Sequence, residues 1–264
     1  MKNVVISGGC GGLGKAACEY FAQMGINVFA LDIRKCDFAQ ENITFIKTNV
    51  RDEESVNAAF DAVSQKVEKL DAIIHLAGIY MMDAYAEMAE EDFKKILDIN
   101  LLGVFRLNKA FLPLLRVGGR VMITTSEVAP IDPLPFNGIY SLSKTALDSY
   151  AQSLRLELAL LDIPVIIIQP GAFQTTLIGD SDVQMRALCE KTKLYKANSA
   201  KFREIMDSVT TKALPPVELA KLIYKAFSAK HPKYVYSKNR SPLLRLYSAM
   251  PTGVQVFALR TLLK

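Results

Sequence analysis

The sequence predicts an α/β fold, a parallel sheet of about seven strands with helices on both faces. Three observations predict it. Short apolar runs alternate with longer amphipathic stretches from near the start of the chain to about residue 236. The first run leads directly into a glycine-rich turn, Ser7-Gly-Gly-Cys-Gly-Gly-Leu-Gly14, and then into a helical pattern. The runs read as buried strands, as expected of a sheet covered on both faces.

The elements follow in order. Residues 3–6 form the first strand. Residues 12–24 have helical spacing, with Leu13, Ala16, Ala17, Tyr20 and Phe21 on one side, and Gly25 ends the helix. Residues 27–31 are a second strand closed by Asp32, and residues 43–47 a third. Residues 53–68 are amphipathic. Residues 72–76 form a fourth strand that ends in Ala77-Gly78. Residues 90–115 form a long helical region with Pro113 near its end, and Gly118-Gly119 is a turn. Residues 120–124 are a fifth strand, 139–161 a long helix, and 165–169 a sixth strand ending at Pro170-Gly171. Residues 176–213 read as helical pieces forming a lid over an open site. Pro215-Pro216 precede a helix at 217–229, and 234–236 is the last strand. The whole is read as one Rossmann-like, doubly wound domain over 1–264, with the lid and a C-terminal tail at 241–264. In such sheets a ligand binds at the carboxyl ends of the strands.

Composition excludes several classes. The chain has 264 residues, half of them hydrophobic, which is enough for a full core. Its net charge is +5, with cations spread along the chain, so no nucleic-acid footprint is expected. No run of about 20 apolar residues could span a bilayer. Residues 4–6 are too short an apolar run for a secretory signal. Cys10, Cys18, Cys36 and Cys189 show no zinc or redox spacing. They are expected to stay unpaired in a reducing compartment, the cytoplasm, with no metal bound.

The glycine loop points to a dinucleotide. Gly8, Gly12 and Gly14 let backbone approach a pyrophosphate, and the following helix N-terminus offers free N–H groups. Asp32 can accept both ribose hydroxyls of an adenosine and would repel a 2′-phosphate, so NAD is expected. Arg34, two residues on, keeps NADP as the alternative.

Here the chain resembles the short-chain dehydrogenase/reductase family. Gly8, Gly12 and Gly14 match the family's glycine loop, with Ser7 replacing a threonine. His75-Leu76-Ala77-Gly78 stands for the family's Asn-Asn-Ala-Gly. Asn100 matches its helix asparagine, Ser126 its serine, and Tyr140-Ser-Leu-Ser-Lys144 its Tyr-x-x-x-Lys motif. Pro170, Gly171 and Thr175 match its Pro-Gly-x-x-x-Thr segment. The resemblance implies a catalytic set of Asn100, Ser126, Tyr140 and Lys144. It implies cofactor contacts from Ser7, Gly8, Gly12, Leu13, Gly14, Asp32, Asn49, Val50, Ala77, Gly78, Tyr140, Lys144, Pro170, Gly171 and Thr175. A lysine one helical turn from a tyrosine puts positive charge near the phenol and is expected to lower its pKa. Tyr140 then serves as general base for alcohol oxidation and as acid in reverse. By resemblance, Lys144 also holds the nicotinamide ribose, Ser126 bonds the reacting oxygen, and Asn100 positions a water. Asn49 stands where an aspartate often binds adenine, and its amide oxygen can accept the same bond. His75 is expected to be a packed, hydrogen-bonded residue. Glu127, after Ser126, either orients a polar substrate group or faces water.

Phe136, Ile139, Phe173, Leu177, Ile178, Met185 and Leu188, with Tyr80, Met81 and Met82 opposite, either line an apolar cleft or pack as core. The first option predicts a small apolar substrate, a steroid- or lipid-like secondary alcohol or ketone. A dinucleotide-binding sensor without turnover is the rival reading. In the tail, Leu243, Leu246, Tyr247, Met250, Val254, Phe257 and Leu259 recur at helical spacing around Pro251. Lys238, Arg240, Arg245, Arg260 and Lys264 accompany them. This pattern fits either an interfacial helix pair on a membrane or a tail docked on the domain or on a partner subunit of a homo-oligomer.

Overall fold

The computed structural model describes residues 1–174, 176–208 and 212–264, with backbone alone described over 176–181. Seven strands form one parallel sheet: β1 (Asn3–Ser7), β2 (Asn27–Asp32), β3 (Ile43–Lys47), β4 (Leu70–His75), β5 (Leu115–Thr124), β6 (Val165–Pro170) and β7 (Val235–Lys238). Their order across the sheet is β3-β2-β1-β4-β5-β6-β7. β1 is flanked by β2 and β4, so the connections run in opposite directions from it. The carboxyl ends of β1 and β4 therefore open onto a crevice.

The apolar strands are explained by the two faces they fill. Val5 enters one core while Val4 and Ile6 enter the other. Ile73 against Ala72 and Ile74, and Ile167 against Ile166 and Ile168, divide in the same way. Successive residues of a strand point to opposite faces, so burial on both sides requires apolar residues at every position. One face is covered by α2 (Glu53–Ser64), α4 (Gly103–Phe111) and α5 (Gly138–Ala159), the other by α1 (Gly12–Gln23) and α8 (Pro216–Ser228).

The long helical region at 90–115 is interrupted. It divides into α3 (Glu90–Leu97), a π-helical turn at Asp98–Leu102, α4, and a 3-10 turn at Leu112–Leu114 that contains Pro113. The region expected to be a lid contains α6 (Thr176–Lys191) and α7 (Lys196–Ser208), and the tail forms α9 (Pro242–Ser248) and α10 (Thr252–Leu263). Among the described residues no helix is long and apolar enough to cross a membrane.

One expectation is overturned. Cys10 and Cys36 are joined in a disulfide, with Cα atoms 5.5 Å apart, and of the four cysteines only Cys18 and Cys189 are free. The sheet explains the pairing. Ser7 lies in register beside Leu31, so the loops leaving β1 and β2 start next to each other. Two cysteines 26 residues apart thereby become neighbours.

Candidate active site

The glycine loop leaves β1 with Gly8 at φ +69°. A Cβ on Gly8 would lie 2.6 Å from the backbone nitrogen of Ala77, and one on Gly14 would lie 1.9 Å from the Gly8 carbonyl oxygen. Side chains are therefore excluded, and backbone faces the crevice. Gly11 caps α1 with no side-chain hydrogen bond, and its first turn, which includes Gly12 and Leu13, carries no acidic residue. Ser7 lies beneath the loop, buried, and its Oγ accepts from Ala77 N at 3.3 Å. It ties β1 to the end of β4.

Asp32 closes β2. Its Oδ2 accepts from Cys10 N at 2.9 Å and its Oδ1 from Arg34 N at 3.0 Å, so the carboxylate is aimed by backbone from both loops. At the end of β3, Asn49 Oδ1 accepts from Arg51 N at 3.1 Å. Val50 packs against Gly103, where a Cβ would lie 2.9 Å from it.

The chemistry-bearing side chains meet around one cleft of about 100 Å³. Leu13, Gly78, Ser126, Tyr140, Lys144, Pro170 and Gly171 line it, each anticipated from sequence. Thr124, Thr125, Leu76 and Ile79 also line it and were missed. Their signal was position: they end or follow β4 and β5. Among the described residues, the buried hydroxyls of Thr124 and Thr125 have no hydrogen-bond partner. Thr175 lies outside the described residues.

α5 presents Tyr140 and Lys144 on one side, both buried. Lys144 Nζ lies 5.8 Å from the Tyr140 ring centroid and donates to the Thr124 carbonyl at 3.1 Å. Burial lowers its pKa to about 8. The expected lowering of the tyrosine does not appear. Burial pushes Tyr140 up to about 12, against a hydrogen bond with Ser126 and with the help of Glu127's charge. Desolvation of a phenolate outweighs an ammonium that is itself desolvated.

Asn100 is fully buried on the π-helical turn. Its Oδ1 accepts from Ile79 N at 2.8 Å, and its Nδ2 donates to Ile79 O and Ser143 Oγ, both at 3.0 Å. Both amide hydrogens are thus engaged. The side chain clamps the loop after β4, and a water cannot take an N–H from it.

His75 is fully buried, with Nε2 2.8 Å from Asn108 Oδ1, and burial lowers its pKa to about 4. It is the packed, hydrogen-bonded residue expected. Glu127 neither faces the cleft nor stands free in water: its Oε2 accepts from Ser241 N at 2.5 Å. Burial raises its pKa, opposed by that bond and by Arg240.

The apolar candidates divide. Ile139 and Met81 pack with Ile96 behind Tyr140. Met82, Met185, Leu188 and Phe202 form a small core under the lid, joined by Phe136 and Tyr80. Phe173 alone is shared between the helix-side core and the cleft. The side chains of Leu177 and Ile178 lie outside the described residues. Tyr80 and Tyr140 have ring centroids 4.9 Å apart, so the lid core touches the reactive phenol. A larger cleft, about 360 Å³, opens between α5 and β7 at the other end of the sheet, away from these groups.

Comparison with known proteins agrees with this geometry. A family model described as short chain dehydrogenase matches residues 2–185. A 3-amino-tetrahydro-pyrrolizinone reductase of Xenorhabdus hominickii is 28% identical over 89% of this chain and 86% of its own. A 3-ketodihydrosphingosine reductase of Bacteroides thetaiotaomicron is 25% identical over 97% of this chain and 96% of its own. A crystal structure of a short chain dehydrogenase family protein from Francisella tularensis has 26% identity and a TM-score of 0.75, covering 90% of this chain and 96% of that one. With its seven-stranded sheet and that match over most of its length, the chain belongs to the short-chain dehydrogenase/reductase family and is an NAD(P)-dependent oxidoreductase.

Proposed function

We propose that this protein reduces the ketone of an apolar, lipid-like substrate to a secondary alcohol, with NADH as the hydride source, the reverse reaction running on the same groups. The observation that carries the reading is geometric: Ser126, Tyr140 and Lys144 line one cleft at the carboxyl ends of the strands, where a buried, protonated phenol can give a proton to a carbonyl oxygen and take it back in reverse.

The chain fits the cofactor on grounds of its own geometry. Backbone at Gly8, Gly12, Leu13 and Gly14 forms the turn into the α1 N-terminus, and it is packed so closely that a Cβ at Gly8 or Gly14 would strike the Ala77 or Gly8 backbone. Two buried threonine hydroxyls and a lysine with one acceptor stand where polar ligand groups would satisfy them. In this reading Asp32 takes the adenosine ribose, Asn49 and Val50 the adenine, and Ala77, Gly78, Pro170 and Gly171 flank the nicotinamide end. Lys144 takes the nicotinamide ribose. When bound, the reduced nicotinamide supplies a hydride to the carbonyl carbon.

The residues do the rest. Ser126 donates to the carbonyl oxygen and Tyr140 gives that oxygen its proton, so the C=O becomes CH–OH. The phenolate left behind is held by the Lys144 ammonium until it is reprotonated. Asn100 fixes the loop that forms the cleft wall. Retention of all four groups argues against a sensor without turnover. Asp32 supports NAD. Arg34 is exposed and has no ion-pair partner among the described residues, which favours NADP as the second reading.

An apolar substrate is supported by the Tyr80 ring and the lid core beside Tyr140, and by a near full-length likeness to a reductase of a sphingoid ketone. We read the chain as one catalytic domain with residues 176–213 as its lid. A homo-oligomer is supported by α4 and α5, which leave Phe105, Leu142, Leu156 and Leu160 exposed. The test is turnover of long-chain and steroid ketones with NADH and NADPH by the wild type and Tyr140→Phe. The variant should keep cofactor affinity and lose about 100-fold or more in kcat. Wild-type hydride transfer in the variant would overturn the assignment.

A further inference from the structure

The tail does two jobs with two faces. Its inner face docks. Leu259 and Leu263 pack into the lid core with Met185 and Phe202, and Asn198 Nδ2 donates to the Leu263 carbonyl at 2.8 Å. Gln255 is buried and its amide donates to Asp132 Oδ2 at 2.7 Å and to Met250 O at 2.9 Å. At its start, Ser241 is held by Glu127. The tail is therefore placed, not loose.

Its outer face has no partner. Leu246 on α9 is 64% exposed and Phe257 on α10 is 71% exposed, with Leu243, Val256 and Leu262 also out in solvent. Fully exposed aromatic and leucine side chains on a docked helix pair are costly in water. Arg245, Arg260 and Lys264 stand among them and form no ion pair within the described residues. The charge pattern is one-sided. Residues 241–264 contain three Lys or Arg and no Asp or Glu. The two carboxylates that touch the tail are already engaged, Asp132 by Gln255 and Ser248 and Glu127 by the Ser241 N–H.

We propose that this outer face of α9 and α10 rests on an anionic lipid bilayer. Apolar side chains enter the acyl boundary while the cations meet headgroup phosphates and carboxylates. Charge favours this occupant: cations with no interspersed acid complement a uniformly negative surface. A protein partner would be matched by charges of both signs. The position adds a consequence that rests on the proposed lipid-like substrate. The inner face of α10 belongs to the same small core, which reaches Tyr80 and through it Tyr140. A bilayer on the outer face thus lies at the rim of the cleft, where a lipid ketone would enter.

The full-length protein is to be sedimented with phosphatidylcholine vesicles, with and without phosphatidylserine, across a salt series. Binding is expected only with phosphatidylserine, weakening as salt rises. Arg260→Gln should weaken it about fivefold, the contribution of one cation at such a surface. Phe257→Glu should abolish it. Both positions face solvent, so unchanged thermal unfolding is expected and serves as the control for folding. Reduction of a water-soluble ketone should be unchanged in both variants, which separates this surface from the catalytic reading. A wild type that stays in the supernatant with phosphatidylserine vesicles overturns the proposal. So does Phe257→Glu binding as tightly as wild type. Loss of a higher-mass species in Phe257→Glu, without vesicle binding by wild type, would assign the face to a second copy of the chain instead.

Discussion

Glu127 Oε2 accepts the backbone N–H of Ser241 at 2.5 Å. The residue that follows the candidate catalytic serine therefore holds the first residue of the tail, 114 positions later.

That contact yields the first prediction. Glu127→Ala should release the start of the tail while leaving the sheet intact. A hydrogen bond to a charged, partly buried group contributes about 1.5 to 3 kcal/mol. Limited proteolysis should cut earlier near Ser241, and thermal unfolding should fall by a few degrees. Equal cleavage rates in variant and wild type would show that the Gln255 and Leu263 contacts hold the tail without it.

Cofactor choice is tested at Asp32. Its carboxylate is oriented by Cys10 N and Arg34 N, and in the proposed reading its negative charge opposes a 2′-phosphate. Asp32→Ala should shift the NADPH to NADH ratio of kcat/KM toward NADPH by about tenfold, equivalent to about 1.4 kcal/mol. A wild type that already prefers NADPH would mean that the Arg34 guanidinium outweighs the carboxylate.

The fold and much of the site were legible because they rest on short-range patterns. Strand periodicity, the glycine loop and the Tyr140–Lys144 spacing are local. What was illegible depends on which elements become neighbours. The Cys10–Cys36 pair arises from the register of β1 against β2. The Glu127–Ser241 bond joins the end of β5 to the start of the tail. The engagement of the Asn100 amide depends on the π-helical turn meeting the loop at Ile79. The phenol was misjudged for a different reason: a charge one turn away is visible in sequence, whereas burial is not. Of the two readings of the tail, docking on the domain is seen for the inner face of α10.

The disulfide supports a third prediction. It closes a loop between residues 26 apart, and fixing that loop in the unfolded chain contributes about 3 to 4 kcal/mol. It also joins the two loops that orient Asp32. Cys36→Ser should lower the unfolding temperature and weaken NAD binding, and dithiothreitol should do the same to wild type. Thiol titration of the unreduced, denatured protein should find two free thiols, Cys18 and Cys189. Four thiols with no effect of reductant would overturn the pairing.

The last prediction is a pH dependence of stability set by His75. It is fully buried, its Nδ1 has no partner among the described residues, and burial lowers its pKa from about 6.5 to about 4. Below pH 6.5 the unfolded chain binds a proton there and the folded protein does not, so the unfolded state gains. The stabilising contribution is complete above pH 6.5 and is lost as pH falls toward 4. Its size is on the order of 3 kcal/mol, at about 1.4 kcal/mol for each pKa unit. His75→Asn, which keeps a polar group able to bond Asn108, should flatten the denaturation profile between pH 6.5 and 4. Urea unfolding at several pH values measures it. If wild type and variant lose stability in parallel over that window, the acid sensitivity comes from other groups, and the buried imidazole is not what makes this fold depend on pH.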